Sequence, residues 1–129
     1  MILLDTDVLI ECLRGATEAQ SWLNSQATES FGIPGAVAME LVTGCRNPQE
    51  LAQTRKFLSS FPVIWPGAAE FENAFELLTS LRLSSGLGIP DCLIAASALA
   101  QGARLYTFNL KHFRAVPGLD AQQPYSRSS

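Results

Sequence analysis

Apolar and polar positions fall in blocks along this chain, and the period of each block switches between that of a strand and that of a helix. Residues 1–4 form a short, wholly apolar run, the mark of a strand buried on both faces. From Asp7 to Leu13 the spacing turns helical, with Val8, Leu9, Cys12 and Leu13 on one side and Gly15 as the stop. Thr17-Glu-Ala-Gln20 reads as a capping box that opens a second helix through Trp22 and Leu23. Residues 30–33 are a strand candidate ahead of Pro34, and a helix is expected from Gly35 to about Gly44. Asn47 caps and Pro48 opens a further helix carrying Leu51, Arg55 and Leu58. Residues 62–65 read as a third strand. Residues 68–83 predict an amphipathic helix with Ala69, Phe71, Ala74, Phe75, Leu77, Leu78 and Leu81 on its apolar side. After the loop Ser84-Ser-Gly-Leu-Gly88, Pro90 stands in the first turn of an alanine-rich helix that runs to Gly102. Residues 104–108 are another strand, and a short turn around 111–113 leads to a last strand or loop near Leu119.

Strands that alternate with helices imply an α/β fold, a central and mostly parallel sheet of 4–5 strands with helices on both faces. A chain of 129 residues is long enough for one real core and too short for two. Residues 1–123 are read as a single domain, and residues 124–129 as a flexible tail.

Composition sharpens this picture. Apolar residues make up 47% of the chain and charged residues 16%, which excludes disorder and makes each isolated charge informative. The net charge of −3 is uneven, −5 over residues 1–50 and +2 over the rest. No basic stripe announces nucleic acid, so any RNA partner requires a cation to offset the acidic half. Cys12, Cys45 and Cys92 are odd in number and widely spaced, and the lone His112 excludes a zinc cluster of ordinary spacing. They are read as reduced thiols of a cytoplasmic protein. With no basic opening segment and no apolar run near ~18 residues, neither export nor a membrane is expected.

The candidate chemistry lies where apolar runs end or helices begin, at Asp5, Glu40, Asp91 and Asn109. Between Glu29 and Arg46 the sole charge is Glu40, and between Arg82 and Arg104 it is Asp91. A lone carboxylate in apolar surroundings is costly unless paired, and no Lys or Arg stands nearby in sequence. In an open parallel sheet ligands sit outside the carboxyl ends of the strands, where Asp5 and Asn109 are expected. Asp91 shares the stripe of Ile94, Ala95 and Ala98, and Glu40 shares that of Val37, so both point inward. A joint site without Cys or His selects a hard cation, Mg²⁺ or Mn²⁺. Plainer readings stand beside these. Asp91 could serve a helix N-terminus, Glu40 could face solvent, and Asn109 could be a turn residue. Asp7 is read as the cap of the first helix, and His112 as a local cap or surface contact.

Taken together, Ile2-Leu-Leu-Asp-Thr-Asp7, Val37-Ala-Met-Glu-Leu-Val-Thr-Gly44, Asp91-Cys-Leu-Ile-Ala-Ala96 and Thr107-Phe-Asn-Leu-Lys-His-Phe113, with Pro117-Gly-Leu119 behind them, resemble the PIN-domain ribonucleases, specifically the VapC-type toxins of toxin–antitoxin pairs. Four motifs in the right order span nearly the whole chain. The resemblance implies a PIN-like three-layer fold and a metal-dependent endoribonuclease that cuts a structured RNA such as tRNA or rRNA. It also implies an antitoxin whose C-terminal segment covers the site. Asp5, Glu40 and Asp91 match the family's core acids, Asn109 matches a fourth position that is Asp or Asn, and Thr6 and Thr107 match hydroxyls lining the site. Asp5 and Asp91 are expected to hold the metal, and Glu40 to orient water or complete the ligation. One departure is His112-Phe113 where many members carry Asp-Phe. Arg46, Arg82, Arg104, Lys111 and Arg114 are candidates for phosphate contact. Trp22, Phe57, Phe61, Trp65 and Phe71 could serve the antitoxin groove or a homodimer face, with most of them in the core.

Asp5-Thr-Asp7 after a first strand also fits a small haloacid-dehalogenase-type phosphatase, with Asp5 as nucleophile and Asp7 as acid, but no adjacent acidic pair follows. A receiver domain needs an Asp ending the third strand, which Val63-Ile-Trp-Pro66 lacks. A catalytically silent PIN-like binding module is the remaining alternative, against which the intact acids argue.

Overall fold

The structure is a computed structural model and describes residues 1–127. In chain order the elements are β1 (Ile2–Leu4), α1 (Thr6–Leu13), α2 (Thr17–Ser25), β2 (Phe31–Pro34), α3 (Gly35–Thr43), α4 (Pro48–Leu58), β3 (Val63–Ile64), α5 (Ala68–Ser85), α6 (Ile89–Gln101), β4 (Arg104–Tyr106), α7 (Leu110–Phe113) and β5 (Ala121–Gln122). The strands form one sheet in the order β3-β2-β1-β4-β5, and every neighbouring pair is parallel. Helical crossovers follow from that pairing, because a parallel partner can be reached only by carrying the chain back to the starting edge.

The apolar run at the start becomes the central strand. Ile2, Leu3 and Leu4 are all buried, as a strand covered on both faces must be. From β1 the chain builds outward through β2 to β3, then crosses back to place β4 on the other side of β1. The order therefore reverses between β1 and β4, the kind of switch point at which open α/β sheets hold their ligands. Helix α6 contacts both β2 and β4, with Cys92, Ile94, Ala95, Ala96, Ser97 and Ala98 buried. Its small side chains let it lie close to the sheet. Gly86 and Gly102 end α5 and α6 at φ 75° and 58°, left-handed conformations that cost glycine little. Trp22 closes one end of the core, edge-on to Tyr106 at 4.8 Å and to Phe31 at 6.0 Å.

Several expectations are corrected. Thr17 makes no capping box: Ala16 is the N-cap of α2 and no side-chain bond closes that end. The strand expected over 104–108 ends at Tyr106, which leaves Thr107 and Phe108 in an irregular connection. On α5 the apolar side is covered only in part: Ala74 is buried and Leu77, Leu78 and Leu81 pack on the core, while Phe71 and Phe75 remain 54% and 62% exposed. Trp22 is buried as expected and Phe57 and Phe61 pack on the core, whereas Trp65 is 62% exposed. Of the tail expected over 124–129, Ser128 and Ser129 lie outside the described residues. Within the described part of that segment, Tyr125 meets Phe108 edge-on at 5.1 Å, and the Arg127 guanidinium lies 4.1 Å from the same ring. All three cysteines are free thiols, and among the described residues no helix is long and apolar enough to cross a membrane.

Candidate active site

Helix α1 begins where β1 ends, so Asp5 is both the residue leaving the sheet and the N-cap of the helix. Its backbone is extended (φ −77°, ψ 163°), and its Oδ1 accepts from the Thr6 amide at 2.8 Å. The cap is therefore Asp5 and not Asp7, which already lies inside the first helical turn. Both Asp7 oxygens instead accept from the Phe108 amide at 3.2 Å, a bond between residues 101 positions apart.

Across the switch point stands Thr107, fully buried just past β4. Its hydroxyl accepts from the Asn109 amide at 2.9 Å and donates to Asp5 Oδ2 at 2.7 Å. Because the oxygen already accepts from Asn109, its own proton is directed at Asp5. On the other flank the Thr6 hydroxyl donates to Glu40 Oε1 at 3.0 Å. Glu40 lies in α3, the helix that leaves β2, which is why it reaches the same edge. Asp91 sits in the first turn of α6, where its Oδ2 accepts from the Gly88 amide at 3.1 Å. The capping role and the inward placement thus coexist at Asp91.

The carboxylates disturb one another. Burial first, and then the Asp7 charge, push Asp5 from 3.8 up to about 7, against hydrogen bonds from Thr107 and Thr6 that favour the ion; the Asp91 charge raises it further. Asp7 and Glu40 are also raised, each chiefly by burial, and Glu40 also by the charges of Asp91 and Asp7. Arg127 opposes the rise at Asp7. Asp5, Asp7, Glu40 and Asp91 therefore form one electrostatic unit.

Asn109 joins this unit through its backbone. Its side-chain amide lies 2.9 Å from His112 Nδ1, so the histidine at the position often acidic in PIN-domain ribonucleases faces Asn109, not the carboxylates. Among the candidate cations, Arg46 is held by Glu50 at 2.7 Å, and Arg82 donates to the Gly86 and Leu87 carbonyls. Arg104 pairs in register with Ile2 at the amino ends of the strands and binds Asp120, at the opposite sheet edge from Asp5. Strand direction removes it from the site. Lys111 and Arg114 are exposed on and just after α7, which starts beside Asn109. The Asp7–Phe108 bond and Arg127 were missed from sequence; both depend on contacts of about a hundred residues' separation, and no local pattern signals them.

The donor set is all oxygen, anionic and short of cations, which is the chemistry that suits a hard divalent ion. Among the described residues, no group of three Asp, Glu, His or Cys side chains is arranged to hold a metal as they stand. Asp5, Asp7, Glu40 and Asp91 each accept from a hydrogen-bond donor of this chain.

An open parallel sheet with clustered carboxylates at its strand-order reversal defines an acidic-edge α/β domain suited to metal-assisted chemistry on anionic substrates. The family model of the PIN domain matches residues 2–119, and the chain belongs to that family. It is 36% identical over 115 residues to Ribonuclease VapC10 of Mycobacterium tuberculosis, covering 88% of this chain and 86% of that protein. It is 35% identical over 130 residues to Ribonuclease VapC19 of the same organism, covering 97% of this chain and all of the relative (100%). Among solved structures it resembles VapBC2 from Rickettsia felis bound to a DNA fragment from its promoter, with TM-score 0.81 and 28% identity over 95% of this chain and 98% of that one. VapC nucleases with PIN domains are generally dependent on a divalent metal.

Proposed function

We infer that this chain is a VapC-type ribonuclease, the toxin of a toxin–antitoxin pair, and that its acidic edge hydrolyses phosphodiester bonds of a structured RNA. The observation that carries the reading is the cluster of Asp5, Asp7, Glu40 and Asp91 at the switch point, with Asp5 held near neutrality by burial and like charge. Membership of the PIN family and the ribonuclease relatives support it.

Asp5 and Asp91 would hold Mg²⁺ or Mn²⁺, with Glu40 completing the ligation or orienting the attacking water. What such a cation supplies when bound is a reversed local sign, a lowered pKa for water and stabilisation of charge on the phosphate oxygens. Thr107 fixes the direction of Asp5, and Thr6 fixes one oxygen of Glu40, leaving the other free to accept a proton from water. The raised pKa of Glu40 makes it a stronger base than an ordinary carboxylate. Asn109 would position water or phosphate, a role that requires its side chain to leave His112. Lys111 and Arg114, exposed at α7 next to Asn109, are the favoured candidates for phosphate contact.

Two exposed apolar faces support protein partners in a cytoplasmic complex, an antitoxin and a second copy of the chain. One is a groove of about 650 Å³ with Met39, Val42, Leu51 and Trp65 on its walls, beside the helix that carries Glu40. The other is a hollow of about 180 Å³ between α5 and α6, walled by Phe71, Phe75, Ile89 and Leu93. Contiguous apolar surface of this kind marks interaction sites.

Asp91→Asn tests the reading. The amide oxygen can still accept from Gly88, so the fold should persist while cleavage of RNA by the antitoxin-free protein falls at least ~100-fold. Retained cleavage would remove Asp91 from the chemistry.

A further inference from the structure

We propose that Tyr125 and Arg127 are positioning residues of the acidic edge, acting through Phe108 on the connection 107–109. The inference rests on the functional reading above, because it concerns the same site. Three groups converge on that connection. Thr107 directs its proton at Asp5, Phe108 donates its amide to Asp7, and Asn109 begins α7. The connection lies past the end of β4, and its last ladder bond is from the Thr107 amide to the Gln122 carbonyl at 2.9 Å. Beyond that point side chains must fix the backbone.

Phe108 is the apolar handle by which they do so. Its ring is half-buried, met edge-on by Tyr125 at 5.1 Å and covered by the Arg127 guanidinium at 4.1 Å. The same guanidinium reaches Glu11 at 3.4 Å, and its charge acts on Asp7. Asp7 and Glu11 are four residues apart on α1, a like-charge pair that destabilises a helix unless a cation stands between them. Arg127 pairs with Glu11, and its charge favours the ionised form of Asp7. Residues 125–127 therefore clamp Phe108 against α1 from outside, while Asp7 grips its amide from within.

The Tyr125 hydroxyl is buried without a hydrogen-bond partner, so the ring and not the oxygen holds Phe108. When the clamp is lost, the bond between Phe108 and Asp7 frays in a cluster whose carboxylates already repel one another. Thr107 and Asn109 then lose their aim, and a displacement of ~1 Å in a catalytic group is enough to cost activity.

The test compares Arg127→Ala and Tyr125→Ala with Arg127→Lys and Tyr125→Phe, by amide hydrogen exchange and by RNA cleavage kinetics. For the alanine variants kcat should drop roughly tenfold with KM inside a factor of about two, and exchange at the Phe108 and Asn109 amides should rise roughly tenfold. The Leu105 amide, bonded to the Asp120 carbonyl inside the sheet, should not change. Lysine and phenylalanine, which keep the charge and the ring, should restore most of both readouts. A raised KM with shallower salt dependence and normal kcat would place Arg127 on RNA phosphate and overturn the proposal. Unchanged exchange at Phe108 would overturn it as well, and so would a general loss of stability with full activity per folded molecule. If the wild-type protein cleaved no RNA, the exchange comparison would still decide the clamp, and the failure would belong to the functional reading.

Discussion

Replacing Asp5 with asparagine should make the cation-free protein more stable at alkaline pH, although it removes a carboxylate of the acidic edge. Asp5 is 7% exposed and its folded-state pKa is pushed from 3.8 to about 7. Below about pH 4 the residue is protonated in both the folded and the unfolded chain, so it costs nothing. Between about pH 4 and 7 the unfolded chain ionises while the folded one does not, and stability falls with rising pH. Above about 7 the penalty levels off at about 4 kcal/mol, an upper bound at 1.36 kcal/mol per unit. Asparagine removes that term and retains an acceptor for Thr6, but leaves Thr107 with a donor facing it, an offset of about 1–3 kcal/mol. The expected result in urea unfolding with EDTA is an advantage for Asp5→Asn of about 1–3 kcal/mol at pH 8 that vanishes or reverses near pH 4. Added Mg²⁺ should narrow the gap at pH 8 by stabilising only the wild type. A difference between the two proteins that does not vary with pH would refute the reasoning.

Other consequences can be measured separately. Thr107→Val orphans the Asn109 amide and deprives Asp5 of its donor, so it should cost about 1–3 kcal/mol in urea unfolding and lower RNA cleavage, whereas Thr107→Ser should retain both. Gly35→Ala would set a Cβ 2.5 Å from Trp65 Cε3, part of a rigid ring, and should destabilise by about 1–3 kcal/mol in the same assay. Phe75→Lys changes a side chain that is 62% exposed, so the thermal midpoint should hold while sedimentation shifts toward monomer; an unchanged sedimentation profile would free the α5–α6 face of that role.

The alternation of apolar blocks made the α/β sheet legible, because a wholly apolar run such as Ile2-Leu-Leu4 has few places in a fold other than a covered central strand. Asn47 and Pro48 were equally legible, since capping is a local exchange: the Asn47 side chain accepts from the Glu50 amide at 2.8 Å. Local chemistry misled at Asp5-Thr-Asp7, where two carboxylates compete for one cap and the outcome depends on which of them finds a distant partner. Asp7 finds it in Phe108. The isolation of Glu40 and Asp91 from any cation could be read from the chain, but the burial that chiefly raises Asp5, and the smaller repulsion from Asp91, arise only when the chain folds and α6 reaches the carboxyl end of β1. The period of α5 showed an apolar side without showing how far this chain covers it: Leu77, Leu78 and Leu81 pack on the core while Phe71 and Phe75 stay exposed. The contacts of Tyr125 and Arg127 with the ring of Phe108 left no local mark, since they depend on a distant part of the chain.

Whether the acidic edge cuts RNA is decided by cleavage of a total tRNA and ribosomal RNA pool by the antitoxin-free protein, with Mg²⁺ and then with EDTA, beside Asp5→Asn. Discrete fragments that disappear both with EDTA and with the substitution are the predicted result. Fragments that persist under either condition, or intact RNA in the presence of folded protein shown to have bound Mg²⁺, would contradict it.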